Sequence, residues 1–154
     1  MNISKILCCV NLAEDCSLIA NYTRKMAISM GAEVLCLYVA PTLRQYTGFH
    51  VQPQTIGHFV EEISSAAQQK MDTFVAENFD GVKAEGKVEV GYASEVILDA
   101  SEKEKCDLIV MCTHGRSGLD RILFGSVAEK VVQKSVVPVL SLRPEDLERY
   151  AEKE

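Results

Sequence analysis

Between Asp107 and Val127 the chain reads DLIVMCTHGRSGLDRILFGSV, a stretch whose residue types could hold an anion. The apolar run Leu108 to Met111 passes into a loop carrying Thr113, His114, Gly115, Ser117 and Gly118, and nine residues separate Gly115 from Gly125-Ser126 at a helix start. Glycine lets the backbone approach a ligand without a Cβ in the way. The first N–H groups of a helix have no partner inside it and carry a partial positive charge. Together they suit a phosphate. Ser126 has two compatible uses, a phosphate contact and a helix cap, the second supported by Glu129 at capping-box spacing. Arg116 reads either as a phosphate contact or as a solvated surface charge. No carboxylate accompanies His114 in sequence, which favours loop shaping or hydrogen bonding over acid–base work.

The elements that must position this loop follow from the patterning. Lys5 to Asn11 is a continuous apolar run ending in a polar residue, as in a strand covered on both faces. Asp15 to Met30 is an amphipathic helix with Ile19, Tyr22, Met26 and Met30 inward, stopped by Gly31. Glu33 to Ala40 is a second buried strand, ended by Pro41. A long connection from Pro41 to about Gly57 precedes a helix from His58 to Phe79, with Val60, Ile63, Ala67, Met71 and Phe74 on one face. Lys83 to Val90 alternates like a strand near a sheet edge. Ser94 to Lys103 is a short helix with Val96, Ile97 and Ala100 inward, Leu108 to Met111 the fourth strand, and Ser126 to Lys134 the next helix. Val136 to Leu142 is the last strand, and Pro138 within it requires an unpaired side at that residue.

Five strands alternating with helices predict an α/β domain, an open five-stranded parallel sheet of order 3-2-1-4-5 with helices on both faces. The domain spans 1–143, and a short charged tail of one or two helical turns spans 144–154. Strands one and four then meet at a topological switch point, outside whose carboxyl ends ligands bind. Those ends, Val10 to Ala13 and Met111 to Gly115, coincide with the loop selected by its chemistry.

Length and composition narrow the function. A chain of 154 residues with 47% hydrophobic and 25% charged residues suits one globular domain with a core of its own. No apolar run approaches the roughly 20 residues of a spanning helix, so no membrane insertion is expected. A net charge of −6 argues against an extended nucleic-acid partner. The start lacks a convincing signal peptide, which implies a cytoplasmic setting, reduced thiols and no structural disulfides. None of the six cysteines, 8, 9, 16, 36, 106 and 112, forms a C-x-x-C pair, and they read as small buried hydrophobes. Cys112 stands apart, at the mouth of the site near a helix start. Neither a Walker loop nor G-x-G-x-x-G occurs, so no motif supports a fast NTPase or a dinucleotide dehydrogenase, and no catalytic residue or metal ligand is assigned.

The stretch Cys112, Thr113-His114, Gly115, nine residues, Gly125-Ser126 resembles the signature of the universal stress protein family of the adenine-nucleotide-binding kind. The lead-in DLIVM, the helix VAEKVV from Val127 and VPVL at Val137 to Leu140 extend the likeness, which covers roughly Lys5 to Arg143. The resemblance implies an ATP or AMP cleft, with Mg2+ an option alongside ATP. The positions it carries over are Asn11, Val39, Met111, Cys112, Gly115, Gly125, Ser126 and Val127, with Arg116 beside them. It also implies a homodimer through the last strand, Val137 to Leu142. In two places the chain departs from the pattern: Cys112 replaces the first signature glycine, and Asn11 stands where an aspartate is usual. Sulfur at the first adds bulk beside a ligand, and an amide at the second hydrogen-bonds without adding charge.

The resulting expectation is a cytoplasmic stress-response protein that binds ATP or AMP and acts as a nucleotide-dependent signalling module. Two rivals stand beside it. One is a slow ATPase or autokinase using Ser126 or a neighbouring hydroxyl with Mg2+; the other is a nucleotide-free dimeric scaffold of the same fold.

Overall fold

The computed structural model describes residues 2–12, 16–42, 53–113 and 126–151, without the side chains of 53–56 and 58–60. Strands β1 (Lys5–Cys9), β2 (Glu33–Ala40), β3 (Ala84–Val90), β4 (Leu108–Cys112) and β5 (Val139–Leu142) form one parallel sheet in the order β3-β2-β1-β4-β5. Helices α1 (Cys16–Met30), α2 (Pro53–Asn78), α3 (Ala93–Lys103), α4 (Ser126–Lys134) and α5 (Pro144–Ala151) cover it. The expected strand order is the one observed.

Because alternate side chains of a strand point to opposite faces, the uninterrupted apolar runs feed two cores. Ile6, Cys8, Val34, Cys36, Leu108 and Val110 meet Ile19 and Ala20 of α1, Met71 of α2 and Leu147 of α5. Leu7, Leu35, Leu37, Ile109 and Met111 meet Ile97 and Ala100 of α3 and Ala128 and Val131 of α4. The helices that follow β1 and β4 therefore lie on opposite faces, since α1 belongs to the first core and α4 to the second.

At the amino ends of the strands the Asp107 carboxylate ties β1 to the start of β4. It accepts the Ser4 N–H at 2.8 Å, the Ser4 hydroxyl at 2.7 Å and the Lys5 N–H at 3.0 Å. The hydroxyl, followed by the two backbone donors, holds this carboxyl below its ordinary pKa. Nearby, Lys5 Nζ reaches Glu104 at 3.2 Å and Glu33 at 3.8 Å.

The two sheet edges differ. At β3, α2 packs so closely that a Cβ on Gly86 would lie 2.4 Å from Met71 Cγ and 3.1 Å from Val75 Cγ2. One turn before Met71, Gln68 donates through Nε2 to the Gly86 carbonyl at 3.1 Å and accepts the Val88 N–H through Oε1 at 3.1 Å. A second Nε2 hydrogen goes to Asp72 Oδ1 at 2.8 Å and fixes which way the amide points. Gln68 thus bonds the outer edge of β3 as a residue of a sixth strand would. At the other end of the sheet, β5 pairs among the described residues with β4 alone, Ile109 to Val139 through Cys112 to Leu142.

Several boundaries and faces depart from expectation. α2 begins at Pro53 rather than His58, as suits proline in a first helical turn. Ile63 is 44% exposed: at 26 residues, α2 is about 39 Å long by its rise per residue and outruns a seven-residue strand of about 23 Å. Met30 is 43% exposed because α1 buries a stripe of mostly small residues, Cys16, Ile19, Ala20, Thr23 and Ala27, with Tyr22 and Met26 flanking it. β5 starts at Val139, not Val136, because the Ser135 hydroxyl donates to the Val137 carbonyl at 2.7 Å and accepts its N–H at 3.2 Å, holding a turn. Pro138 precedes the strand, and its carbonyl still accepts the Ile109 N–H at 3.0 Å.

Past Arg143 the chain is helical from Pro144 to Ala151, and Leu147 is buried in the core with α1. Tyr150 meets Tyr22 edge to face at 5.3 Å between centroids, and Lys25 Nζ lies 5.7 Å from the Tyr150 ring.

Candidate functional site

The carboxyl ends of the central strands bring most of the describable candidate residues together. Cys9 pairs with Leu37 and Cys8 with Val110; continuing both registers puts Asn11 level with Val39 on one side and Thr113 on the other. Backbone pairing runs past the strand ends, with the Val10 N–H donating to Leu37 at 2.9 Å and the Thr113 N–H to Leu142 at 2.9 Å. Met111 is buried against α3 and α4, whereas Cys112, one residue on, is half-buried on the α1 side. Val39 is half-buried on the α3 and α4 side. Ser126 is the first residue of α4 and exposed, and half-buried Val127 packs into the second core. Gly115, Arg116 and Gly125, with His114, lie outside the described residues.

At the end of β1 the chain turns sharply. Leu12 adopts φ 57°, a left-handed conformation uncommon for leucine. Asn11, just before it, is exposed, and its side-chain oxygen and backbone N–H both engage the sulfur of Cys16. Beyond the end of β2, the Thr42 hydroxyl oxygen is buried and has no hydrogen-bond partner among the described residues. A buried polar atom of this kind needs a partner. Sequence reasoning missed Cys16 and Thr42: a thiol five residues past an asparagine belongs to no motif, and Thr42 lay inside a connection without periodicity.

This donor set fits a small polar ligand with hydroxyls and ring heteroatoms. It contains hydroxyl and amide groups, and among the described residues no group of three or more His, Cys, Asp or Glu is placed to hold a metal. Two buried thiols, Cys36 and Cys106, are poorly suited to chemistry. The hydrogen bond from Cys8 and burial push the Cys36 thiol far above its ordinary pKa, and burial pushes Cys106 up to about 11. All six cysteines are free of disulfides.

An open parallel sheet whose helices after β1 and β4 lie on opposite faces defines a doubly wound α/β protein, and in such sheets ligands bind outside the carboxyl ends of the two strands at that switch point. The model of the Universal stress protein family matches residues 2–143, and the chain belongs to that family. It is 34% identical over 126 residues to the universal stress protein MJ0531 of Methanocaldococcus jannaschii, covering 80% of this chain and 72% of that protein. The solved structure of hypothetical protein MJ0577 superposes with a TM-score of 0.80 at 27% identity, over 93% of this chain and 97% of the other. A universal stress protein of Archaeoglobus fulgidus, solved in complex with dAMP, shares the fold at a TM-score of 0.57 and 20% identity, over 93% of this chain and 100% of that one.

Proposed function

We propose that this protein binds ATP or AMP at the switch point between β1 and β4, and that the nucleotide-bound form is the one partner proteins read in a stress response. The observation that carries the reading is the level placement of Val39, Asn11 and Thr113 across the carboxyl ends of β2, β1 and β4, with Met111 and Cys112 beside them. Asn11 and Thr42 would supply hydrogen bonds to base or ribose, with Val39 and Met111 as apolar walls. Gly115, Arg116, Gly125 and Ser126 would hold phosphates, Val127 would back the Gly-Ser turn, and Mg2+ would accompany ATP. The dAMP complex of a relative with the same fold supports an adenine nucleotide over other small polar ligands. In this reading the protein is cytoplasmic and pairs with a second copy through the last strand; Val136, 77% exposed just before β5, suits such an interface. Among the described residues no helix is long and apolar enough to cross a membrane.

The protein contains no tryptophan, so a co-purifying adenine nucleotide would stand out as excess absorbance near 260 nm. Purified protein is expected to carry or take up stoichiometric ATP or AMP, identified after denaturation, and Gly125→Val to lose it. Equal nucleotide content in the folded Gly125→Val variant would refute the placement, and no binding by the native protein at millimolar ATP and AMP would refute the function.

A further inference from the structure

We propose that Cys16 is a positioning residue for the nucleotide site, holding the Asn11 side chain in one orientation through its thiol. The proposal rests on reading that crevice as an adenine-nucleotide site. Its support is the way a single sulfur engages both ends of residue 11. Cys16 Sγ donates to Asn11 Oδ1 at 2.7 Å and accepts the Asn11 backbone N–H at 3.4 Å.

The surroundings explain why such a clamp matters. Asn11 is exposed, and an exposed asparagine ordinarily samples several rotamers, its amide turning about a broad two-fold torsion. Ordering it at the moment of binding would subtract from affinity. Cys16 is the opposite kind of residue, 6% exposed and packed into the first core at the start of α1. It carries the rigidity of helix and sheet to the Asn11 side chain at the end of β1. Leu12, next to Asn11, takes the left-handed conformation at φ 57°, and the first residue of α1 lies against residue 11.

The bond also fixes which end of the amide faces which way. With Oδ1 on the sulfur, the NH2 end is turned to the other side of the Cβ–Cγ bond, and that end carries hydrogens where an aspartate would carry only lone pairs. Asn11 and Cys16 thus act as a pair, the thiol selecting the face that the amide presents. A ligand meeting that face supplies acceptors such as purine ring nitrogens or ribose oxygens.

The test combines calorimetric affinities for ATP and AMP with side-chain amide NMR of Asn11, on native protein, Cys16→Ala, Cys16→Ser, Asn11→Ala and the double variant Asn11→Ala/Cys16→Ala. Loss of one orienting hydrogen bond should weaken binding about three- to tenfold in Cys16→Ala. Cys16→Ser, whose hydroxyl can still donate, should recover most of it. In the Asn11→Ala background, Cys16→Ala should add less than about a twofold further loss, because two residues acting as one unit are not additive. An equal loss in both backgrounds would mean that Cys16 merely supports the fold, and unchanged affinity in Cys16→Ala would also overturn the proposal. The NMR arm separates this from failure of the site reading. If native protein binds neither nucleotide, the site reading is wrong, while Asn11 amide resonances that shift in Cys16→Ala and return in Cys16→Ser would still establish the clamp. Asn11 amide resonances identical in all three proteins would eliminate it.

Discussion

Gly86→Ala should be costly for a reason confined to one contact. The added Cβ would sit 2.4 Å from Met71 Cγ, 3.1 Å from Met71 Sδ and 3.1 Å from Val75 Cγ2. The nearest atom is close to the root of the Met71 side chain, so swinging the thioether end aside does not relieve it. Met71 is fully buried, and overpacking of a well-filled core costs about 1–3 kcal/mol. Alanine restricts the unfolded chain more than glycine does and returns about 0.4–1 kcal/mol. The net loss is on the order of 1–2 kcal/mol, or about 2–8 °C in Tm at about 2–4 °C per kcal/mol for a domain of this size. Urea unfolding followed by far-ultraviolet circular dichroism should show a lower midpoint with an unchanged slope. Met71→Ala alone opens a cavity and costs about 2–5 kcal/mol. Added to it, Gly86→Ala should be nearly neutral, with only Val75 still close. A neutral Gly86→Ala in the native background, or a penalty undiminished beside Met71→Ala, would show that the α2 to β3 contact is not the constraint.

The remaining predictions concern the sheet's ends and edge. The pKa of Asp107 is lowered on folding, so its contribution is complete above the unfolded value of about 3.9 and is lost as pH falls through the folded value. Asp107→Asn should accordingly be less stable than native protein at neutral pH, with the gap closing in acid melts below about pH 4; a gap constant with pH would reject the linkage. Leu147→Ala removes the side chain that seats α5 in the first core and should cost about 2–5 kcal/mol in chemical denaturation, whereas no change would show α5 to be dispensable. Gln68→Leu should speed hydrogen exchange at the Val88 N–H by up to about tenfold, measured by NMR, with little change at Leu37 in the sheet interior.

Sequence patterning revealed most of the fold because the central strands are buried on both sides. Ile6 to Cys8 and Leu108 to Met111 read as unbroken apolar runs for that reason, and the alternation of elements then limits the topology. α4 runs from Ser126 to Lys134 as its spacing implied. Faces were harder to read where packing overrides periodicity. α1 sits close to the sheet on Ala20, Thr23 and Ala27, residues that a search for large hydrophobes passes over, and Met30 turns outward as a result. A period says which residues share a face of α2 but not where the sheet beneath ends, so Ile63 could not be told from Met71. The family pattern pointed to strand-end residues such as Asn11, Val39 and Met111, and continuing the register of β1 with β2 sets Asn11 level with Val39. The link from Asn11 to Cys16, beside a left-handed Leu12, is announced by nothing in the residue types.

The Gln68 amide also bears on how many neighbours a sheet of this kind can accept. A strand at the edge is a binding site for another strand, so a sheet with two bare edges has a valence of two and can in principle grow end to end without limit. Here one end of the row is occupied from within the chain, as Gly86 and Val88 of β3 already have a partner. Among the described residues β5 has no such cover, so the valence falls toward one. Pairing of two copies through β5 would then exhaust it, making a closed pair the end of assembly rather than the first step of a filament.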